Sequence, residues 1–276
     1  LEDMATHIRE DVIIMLEKAG SGHSAGSLGT ADIFSTLYFH VMKHDPKNPD
    51  WEDRDKFVLS NAHICPVLYA TLAEAGYYPK KEITTLRKLG SRLQGHPHRG
   101  ALPGLEASGG PLAQGLSIAA GLVMSAKIDG KRNRIFCMVG DGEMNEGQIW
   151  EALMFIGKKR LHNFTLIVDR NNIQIDGFTE DVMPLEPLKD KLTSFGFYVI
   201  EVDGHNIRTL IEAFEETIFE KPKVLLAHTI PGKGVDFMEF KPEWHGKPPN
   251  KEEAEKALSE LEQLRSLGGK ITCEHE

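Results

Sequence analysis

Apolar residues Ile8, Val12, Met15, Leu16 and Ala19 recur at three- and four-residue intervals, which predicts an amphipathic helix from near Met4 to Ala19. A Gly/Ser run over Ser21–Gly29 then reads as a loop. A second helix, with Asp32 near its start, is predicted through Ile33, Phe34, Leu37 and Val41, and Asp45–Asp50 is a turn region. Lys56–Ser60 reads as a short strand, followed by a helix through Leu68, Leu72 and Ala75. Gly90–Gly110, with six glycines and two prolines, is a long irregular stretch of the kind that usually carries function. A small-residue helix is expected over Gln114–Lys127.

Beyond that point the pattern alternates. Ile135–Val139, Phe164–Val168, Phe197–Val202 and Val224–His228 read as strands. Helices are predicted at Glu146–Arg160 and Ile207–Glu220. The first of these is apolar on most sides (Ile149, Trp150, Leu153, Met154, Ile156), which predicts a well-buried helix. Strand–helix alternation of this kind predicts an α/β fold, a mainly parallel sheet with helices on both faces. Lys251–Leu264 is a charged terminal helix with Leu258, Leu261 and Leu264 on one stripe.

Composition narrows the class. With 276 residues, 41% hydrophobic and 26% charged, a folded core is expected. A net charge of −9 with no basic block argues against nucleic acid. No stretch is long and apolar enough for a bilayer, and the first residues lack the form of a signal peptide. Cys65, Cys137 and Cys273 are scattered and odd in number, which fits a reducing cytoplasm; Cys137, in an apolar run, reads as a buried inert thiol.

The candidate chemistry lies at Gly140-Asp141-Gly142 and Asn171-Asn172. Each group closes a predicted strand, with one helix between them. A right-handed crossover brings both strand ends to the same edge of the sheet, where open α/β sheets bind ligands. The Asp141 carboxylate, the Asn171 amide oxygen and a backbone carbonyl would suit Mg²⁺, leaving positions for phosphate oxygens and water. The glycines admit a close backbone approach, and the helix start near Glu146 offers N–H groups to anions. Gly-Asp-Gly alone is equally explained by an ordinary turn after a strand; the pairing with Asn171 across one unit is what favours a ligand. No G-x-G-x-x-G follows this strand, which disfavours a nicotinamide dinucleotide.

Gly140–Ala152 followed by Asp169–Gly177 resembles transketolase closely. Ala19-Gly20-Ser21-Gly22-His23, Ser60-Asn61-Ala62-His63, Gly95-His96-Pro97, Gly110–Gly115 and Trp244-His245-Gly246 match that family in order, so the resemblance covers almost the whole chain. It implies a thiamine-diphosphate-binding fold spanning 1–276 as one domain. It implies Asp141, Asn171 and the Ile173 carbonyl as ligands of Mg²⁺, or of Ca²⁺ or Mn²⁺. His63, Gly110, Pro111, Leu112, Gly140, Gly142, Glu143 and His245 would lie at the cofactor. His23, His96 and His245 would contact substrate and move protons, with Arg87 a channel-side cation. Glu146 matches an acidic residue at a subunit interface, although a helix-start carboxylate favoured by the dipole explains it as well. The other histidines (His7, His40, His44, His98, His162, His205, His228 and His275) sit outside these motifs and read as solvated or core residues.

The match has departures. Ser24 stands where proline is usual, Ala62 where glycine is common, and His98 where an acidic residue is usual. The resemblance covers the diphosphate-binding half of such enzymes. It implies a separate C-terminal subunit carrying the pyrimidine-binding domain, assembled with a homodimer of this chain in a heterotetramer, and acting on sugar phosphates. The implied reaction is reversible transfer of a two-carbon ketol unit. Alternatives are the first part of a deoxyxylulose-phosphate synthase-like enzyme, a nicotinamide-dependent oxidoreductase, or a catalytically silent subunit.

Overall fold

The computed structural model describes residues 1–218 and 220–266; Cys273 and His275 lie outside the described residues. Five parallel strands form one sheet: β1 (Lys56–Leu59), β2 (Ile135–Gly140), β3 (Phe164–Arg170), β6 (Tyr198–Asp203) and β7 (Lys223–His228). They are ordered β1-β2-β3-β7-β6. A two-strand antiparallel hairpin, β4 (Ile173–Gln174) and β5 (Gly177–Phe178), follows β3.

Alternating strand residues feed two separate cores, as expected for a sheet buried on both faces. Phe57, Phe136, Met138, Ile167, Leu225 and Ala227 point to one face, against α1 (Glu2–Ala19), α3 (Ala31–Thr36), α4 (Cys65–Glu74), α9 (Ile207–Glu215) and α10 (Lys251–Ser266). Val58, Cys137, Val139, Leu166, Val168 and Val224 point to the other, against α5 (Gln114–Ile128), α6 (Gly147–Lys159) and α8 (Leu188–Ser194). Cys137 is fully buried and its thiol pKa is pushed well up by desolvation, as the sequence predicted. The two short helices α2 (Ala25–Gly29) and α7 (Thr179–Val182) complete the set. Among the described residues no helix is long and apolar enough to cross a membrane.

Four details differ from the sequence reading. The Ser21–Gly29 run is not all loop, because α2 occupies its second half. Its small residues reflect crowding: a Cβ on Gly29 would lie 2.7 Å from the Ile230 carbonyl oxygen. The helix after Asp32 passes into a π turn over Leu37–Val41, closed by Met42 N–H on Leu37 O. α9 ends at Glu215 rather than at 220. The buried Lys223 ammonium donates to the carbonyls of Ala213, Phe214 and Glu216, which supplies the terminal acceptors with partners.

The fourth difference is α6. Ile149, Ala152, Leu153 and Ile156 are buried at helical spacing, whereas Met154 and Phe155 are 55% and 41% exposed. The helix is one-sided, and among the described residues Met154 and Phe155 stand exposed on an outer face that also carries Gln148, Glu151 and Lys158.

Candidate active site

β2 and β3 are neighbours in register, with Gly140 opposite Asp169, so the next residues of both strands emerge together at the carboxyl edge. Asp141 sits in the first turn after β2. Its Oδ1 accepts the Gly142 N–H at 2.7 Å; its Oδ2 accepts the Asn172 N–H at 2.7 Å and the Arg170 guanidinium at 3.0 Å. Burial pushes the Asp141 pKa up, against the pull of Arg170 and the two backbone donors. Arg170 in turn bonds Glu180 and Glu186, so its charge is shared among three carboxylates.

Asn171 immediately follows the last residue of β3, which is buried along its whole length. Its Nδ2 donates to Asp169 at 2.8 Å, and its Oδ1 accepts the Ile173 N–H at 3.0 Å. Asp169 also accepts the Thr229 hydroxyl, and desolvation raises its pKa to about 7. Asn172 adopts a left-handed φ of 62°, which turns the chain into the β4–β5 hairpin. Because Asn172 O accepts the Thr179 N–H, the Ile173–Phe178 pair falls in the non-hydrogen-bonded position of the ladder, leaving the Ile173 carbonyl outside it.

Glu143 organises the floor. Its buried carboxylate accepts the Ser60 hydroxyl at 2.5 Å, the Ala113 N–H at 2.6 Å and the Gly140 N–H at 3.0 Å. It thereby joins the ends of β1 and β2 to the loop that enters α5. Ala62, after β1, meets the same loop region: a Cβ on Gly109 would stand 2.3 Å from the Ala62 Cβ. A side chain at one position requires glycine at the other.

Three histidines cluster above this floor. Ring centroids lie 4.9 Å apart for His23 and His63, 5.2 Å for His63 and His245, and 5.7 Å for His23 and His245. Desolvation, then mutual repulsion, drives the pKa of His23 down to about 4 and that of His63 to about 3. Burial also lowers His245, while burial and then the Arg87 charge lower His96. All four imidazoles are therefore neutral near pH 7, the form that can both give and take protons.

One cleft of about 370 Å³ is lined by His23, His63, His96, His245, Gly110, Leu112, Gly140, Asp141, Gly142, Glu143, Glu146, Asn171 and Ile173. Thirteen of the residues singled out in the sequence thus share one cavity. Pro111 and Arg87 are not among its walls; the Arg87 guanidinium reaches the Gly95 carbonyl at 3.4 Å, close enough to repel His23 and His96. His205 is a core residue: its Nδ1 meets Asp32 at 2.7 Å while its Nε2 accepts the Ile230 N–H. His228 pairs instead with Glu201 at 3.2 Å. The sequence reading missed Asn61, Asn145, Asp169, Gln174, Ile175 and Asp176, which also line the cleft. Asn61 and the run from Asp169 to Asp176 lay inside the motifs that carried the resemblance, which was the available signal.

The residues fit a phosphate-bearing cofactor held through a cation. His23 Nδ1, Asn61 Oδ1 and Gln174 Nε2 are buried without a protein partner, and all three residues face the cleft. Asp141 Oδ1 and Asn171 Oδ1 each accept a single hydrogen bond, leaving lone-pair capacity, and the Ile173 carbonyl is free of the hairpin. One carboxylate with two carbonyl-type oxygens suits a hard cation. Consistent with so few charged ligands, no group of three His, Cys, Asp or Glu poised for a metal occurs among the described residues.

A parallel sheet whose carboxyl edge places unpartnered polar atoms beneath a rim of neutral imidazoles defines a cofactor-dependent α/β enzyme domain. The family model described as transketolase, thiamine diphosphate binding domain, matches residues 2–263. The chain belongs to the transketolase family, in its thiamine-diphosphate-binding part. It is 41% identical to a 6-deoxy-6-sulfo-D-fructose transketolase subunit from a Clostridium species, over 95% of this chain and 96% of that one. It is 38% identical to an apulose-4-phosphate transketolase subunit from Actinobacillus succinogenes, over 95% of each. The transketolase of Campylobacter jejuni superposes with a TM-score of 0.89 at 35% identity, covering 95% of this chain and 42% of that one.

Proposed function

We propose that this chain is the diphosphate-binding subunit of a two-subunit transketolase, transferring a two-carbon ketol unit from a ketose phosphate to an aldose phosphate. The convergence of Asp141 and Asn171 beneath the His23–His63–His245 cluster, in one cleft, carries the reading. In it Asp141, Asn171 and the Ile173 carbonyl hold Mg²⁺, or a related divalent cation, against the diphosphate of thiamine diphosphate. Gly110, Pro111, Leu112, Gly140, Gly142, Glu143 and His63 shape the cofactor's seat. Bound thiamine diphosphate supplies the carbanion chemistry of ketol transfer. His23, His96 and His245 hold the substrate hydroxyls and move the protons, with Arg87 adding positive potential at the cleft mouth.

The partner supplies the pyrimidine-binding domain. The support is that relatives of matching length are named as transketolase subunits, whereas the Campylobacter enzyme is more than twice as long as the part this chain matches. The exposed Met154 and Phe155 on α6, the helix that Glu146 leads into, fit a self-association surface, and so a homodimer within a heterotetramer. The chain acts as a single cofactor domain over 1–276, and the buried free thiols of Cys65 and Cys137 suit the cytoplasm.

The test is reconstitution. Purified chain, candidate partner, Mg²⁺ and thiamine diphosphate are mixed with a ketose phosphate donor and an aldose phosphate acceptor. Ketol transfer is expected only when both polypeptides are present. Full-rate transfer by this chain alone rejects the split assembly. Preference for pyruvate as donor favours the deoxyxylulose-phosphate synthase-like alternative.

A further inference from the structure

The residue after His23 has no place in the catalytic description above, yet it makes a bond that spans the whole fold. Ser24 is fully buried, and its Oγ donates to the Lys247 carbonyl oxygen at 2.6 Å, across 223 positions of sequence. Serine at the start of a helix ordinarily turns its hydroxyl back to the helix's own N–H groups. Ser24 precedes α2 but makes no such cap, so its hydroxyl is committed to the other loop.

That loop is Trp244–Lys247, which carries His245. It is held from other sides as well. Trp244 is 4% exposed, and the Lys247 ammonium lies 3.8 Å from the Trp244 ring centroid and 3.0 Å from a Glu253 oxygen. Gly246 abuts the His23 ring: a Cβ there would lie 3.7 Å from His23 Nε2. The Ser24 bond is the link that fixes the loop directly to the segment bearing His23.

We infer that the Ser24 hydroxyl is a positioning group that locks the His245 loop onto His23 and so sets the geometry in which the two imidazoles meet substrate. Its catalytic consequence rests on the ketol-transfer reading; its structural content does not. The groups acting on the His23 ring are His245, Arg87 and His96, with His63 packed against it. Releasing the loop admits water and lets His245 move away, so the His23 ring should titrate at higher pH.

The experiment compares Ser24→Ala and Ser24→Thr with the parent chain in two ways. Imidazole NMR signals of the full chain are titrated, and kcat/KM is measured in the complex reconstituted with the partner. Ser24→Ala is expected to raise the His23 midpoint and to lower kcat/KM for the ketose donor about fivefold to tenfold, the worth of one buried hydrogen bond. Its affinity for Mg²⁺–thiamine diphosphate should stay at the parent value. Ser24→Thr, which keeps the hydroxyl, is expected to restore both readouts. A parent-like titration and rate in Ser24→Ala, or an equal loss in Ser24→Thr, overturns the proposal. If Ser24→Ala does not fold, Ser24→Pro takes its place in the same comparison. If the parent complex shows no ketol transfer, the functional reading fails and the NMR titration still decides the clamp.

Discussion

Asp141 Oδ2 accepts the Asn172 N–H at 2.7 Å, so the turn after β2 is stitched directly to the turn after β3. The two segments proposed to share a cation are thus already tied before any ion binds. The carboxylate is buried and its protonated form is favoured by desolvation, which a divalent cation would reverse.

Removing that carboxylate should therefore cost the cofactor its anchor. Asp141→Ala is expected to weaken Mg²⁺-dependent binding of thiamine diphosphate roughly 100-fold or more. Titration calorimetry checks it, and unchanged affinity would refute the assignment. In the parent protein, chelation of the metal should abolish the thermal stabilisation given by the cofactor, as linkage requires.

The histidine cluster predicts how stability follows pH. The midpoints of His23 and His63 are displaced downward in the folded chain, to about 4 and about 3, from an ordinary value of 6.5. Between pH 6.5 and about 4 the unfolded chain therefore binds more protons than the folded one, and stability falls as pH falls. Above 6.5 this contribution is fully present. Denaturant unfolding at a series of pH values should show a shallower acid slope for His63→Gln than for the parent chain. Equal slopes would mean that His63 titrates normally in the fold.

Ala62 and Gly109 form a size-coupled pair. Gly109→Ala drives one Cβ to 2.3 Å from another, and should cost about 1–3 kcal/mol of stability. Ala62→Gly made in the same chain opens the space and is expected to recover most of the loss. A double-mutant cycle from thermal or denaturant unfolding measures the coupling. Strictly additive effects would show that the backbone yields at this point.

The bare side of α6 bears on assembly. Phe155→Glu places a charge on the proposed self-association surface without touching the buried stripe of Ile149, Leu153 and Ile156. It is expected to shift the chain toward monomer in analytical ultracentrifugation while leaving the far-UV circular dichroism unchanged. An unaltered association state moves the interface elsewhere.

Much of this molecule was legible in its residues. Four of the five sheet strands showed as short apolar runs, because strands covered on both faces need no polar alternation; β6, at the sheet's edge, is only partly buried and is interrupted by Glu201. Asp141 and Asn171 were legible because one crossover fixes where their strands end. What escaped had physical reasons. α2 was hidden by Gly26 and Gly29, whose smallness answers crowding against Ile64 and Ile230 rather than a loop conformation. The β4–β5 hairpin has strands of only two residues, too short for any period to register. The one-sidedness of α6 was masked by Met154 and Phe155, two large apolar residues that stand on its outer face among Gln148, Glu151 and Lys158. Arg170, buried among Asp141, Glu180 and Glu186, lay inside a quoted motif, but its partners became visible only once the chain was folded.

Glu143 ties Ser60, Ala113 and Gly140 to one carboxylate, and so removes their independence. Three stretches far apart in the gene are inherited as a single mechanical unit, and a change in any of them is felt by the other two. Diversification is thereby channelled away from the floor. On the proposed reading, new substrate preferences can arise at the histidine rim without disturbing this floor, whereas a change in the floor carries a cost in all three segments at once.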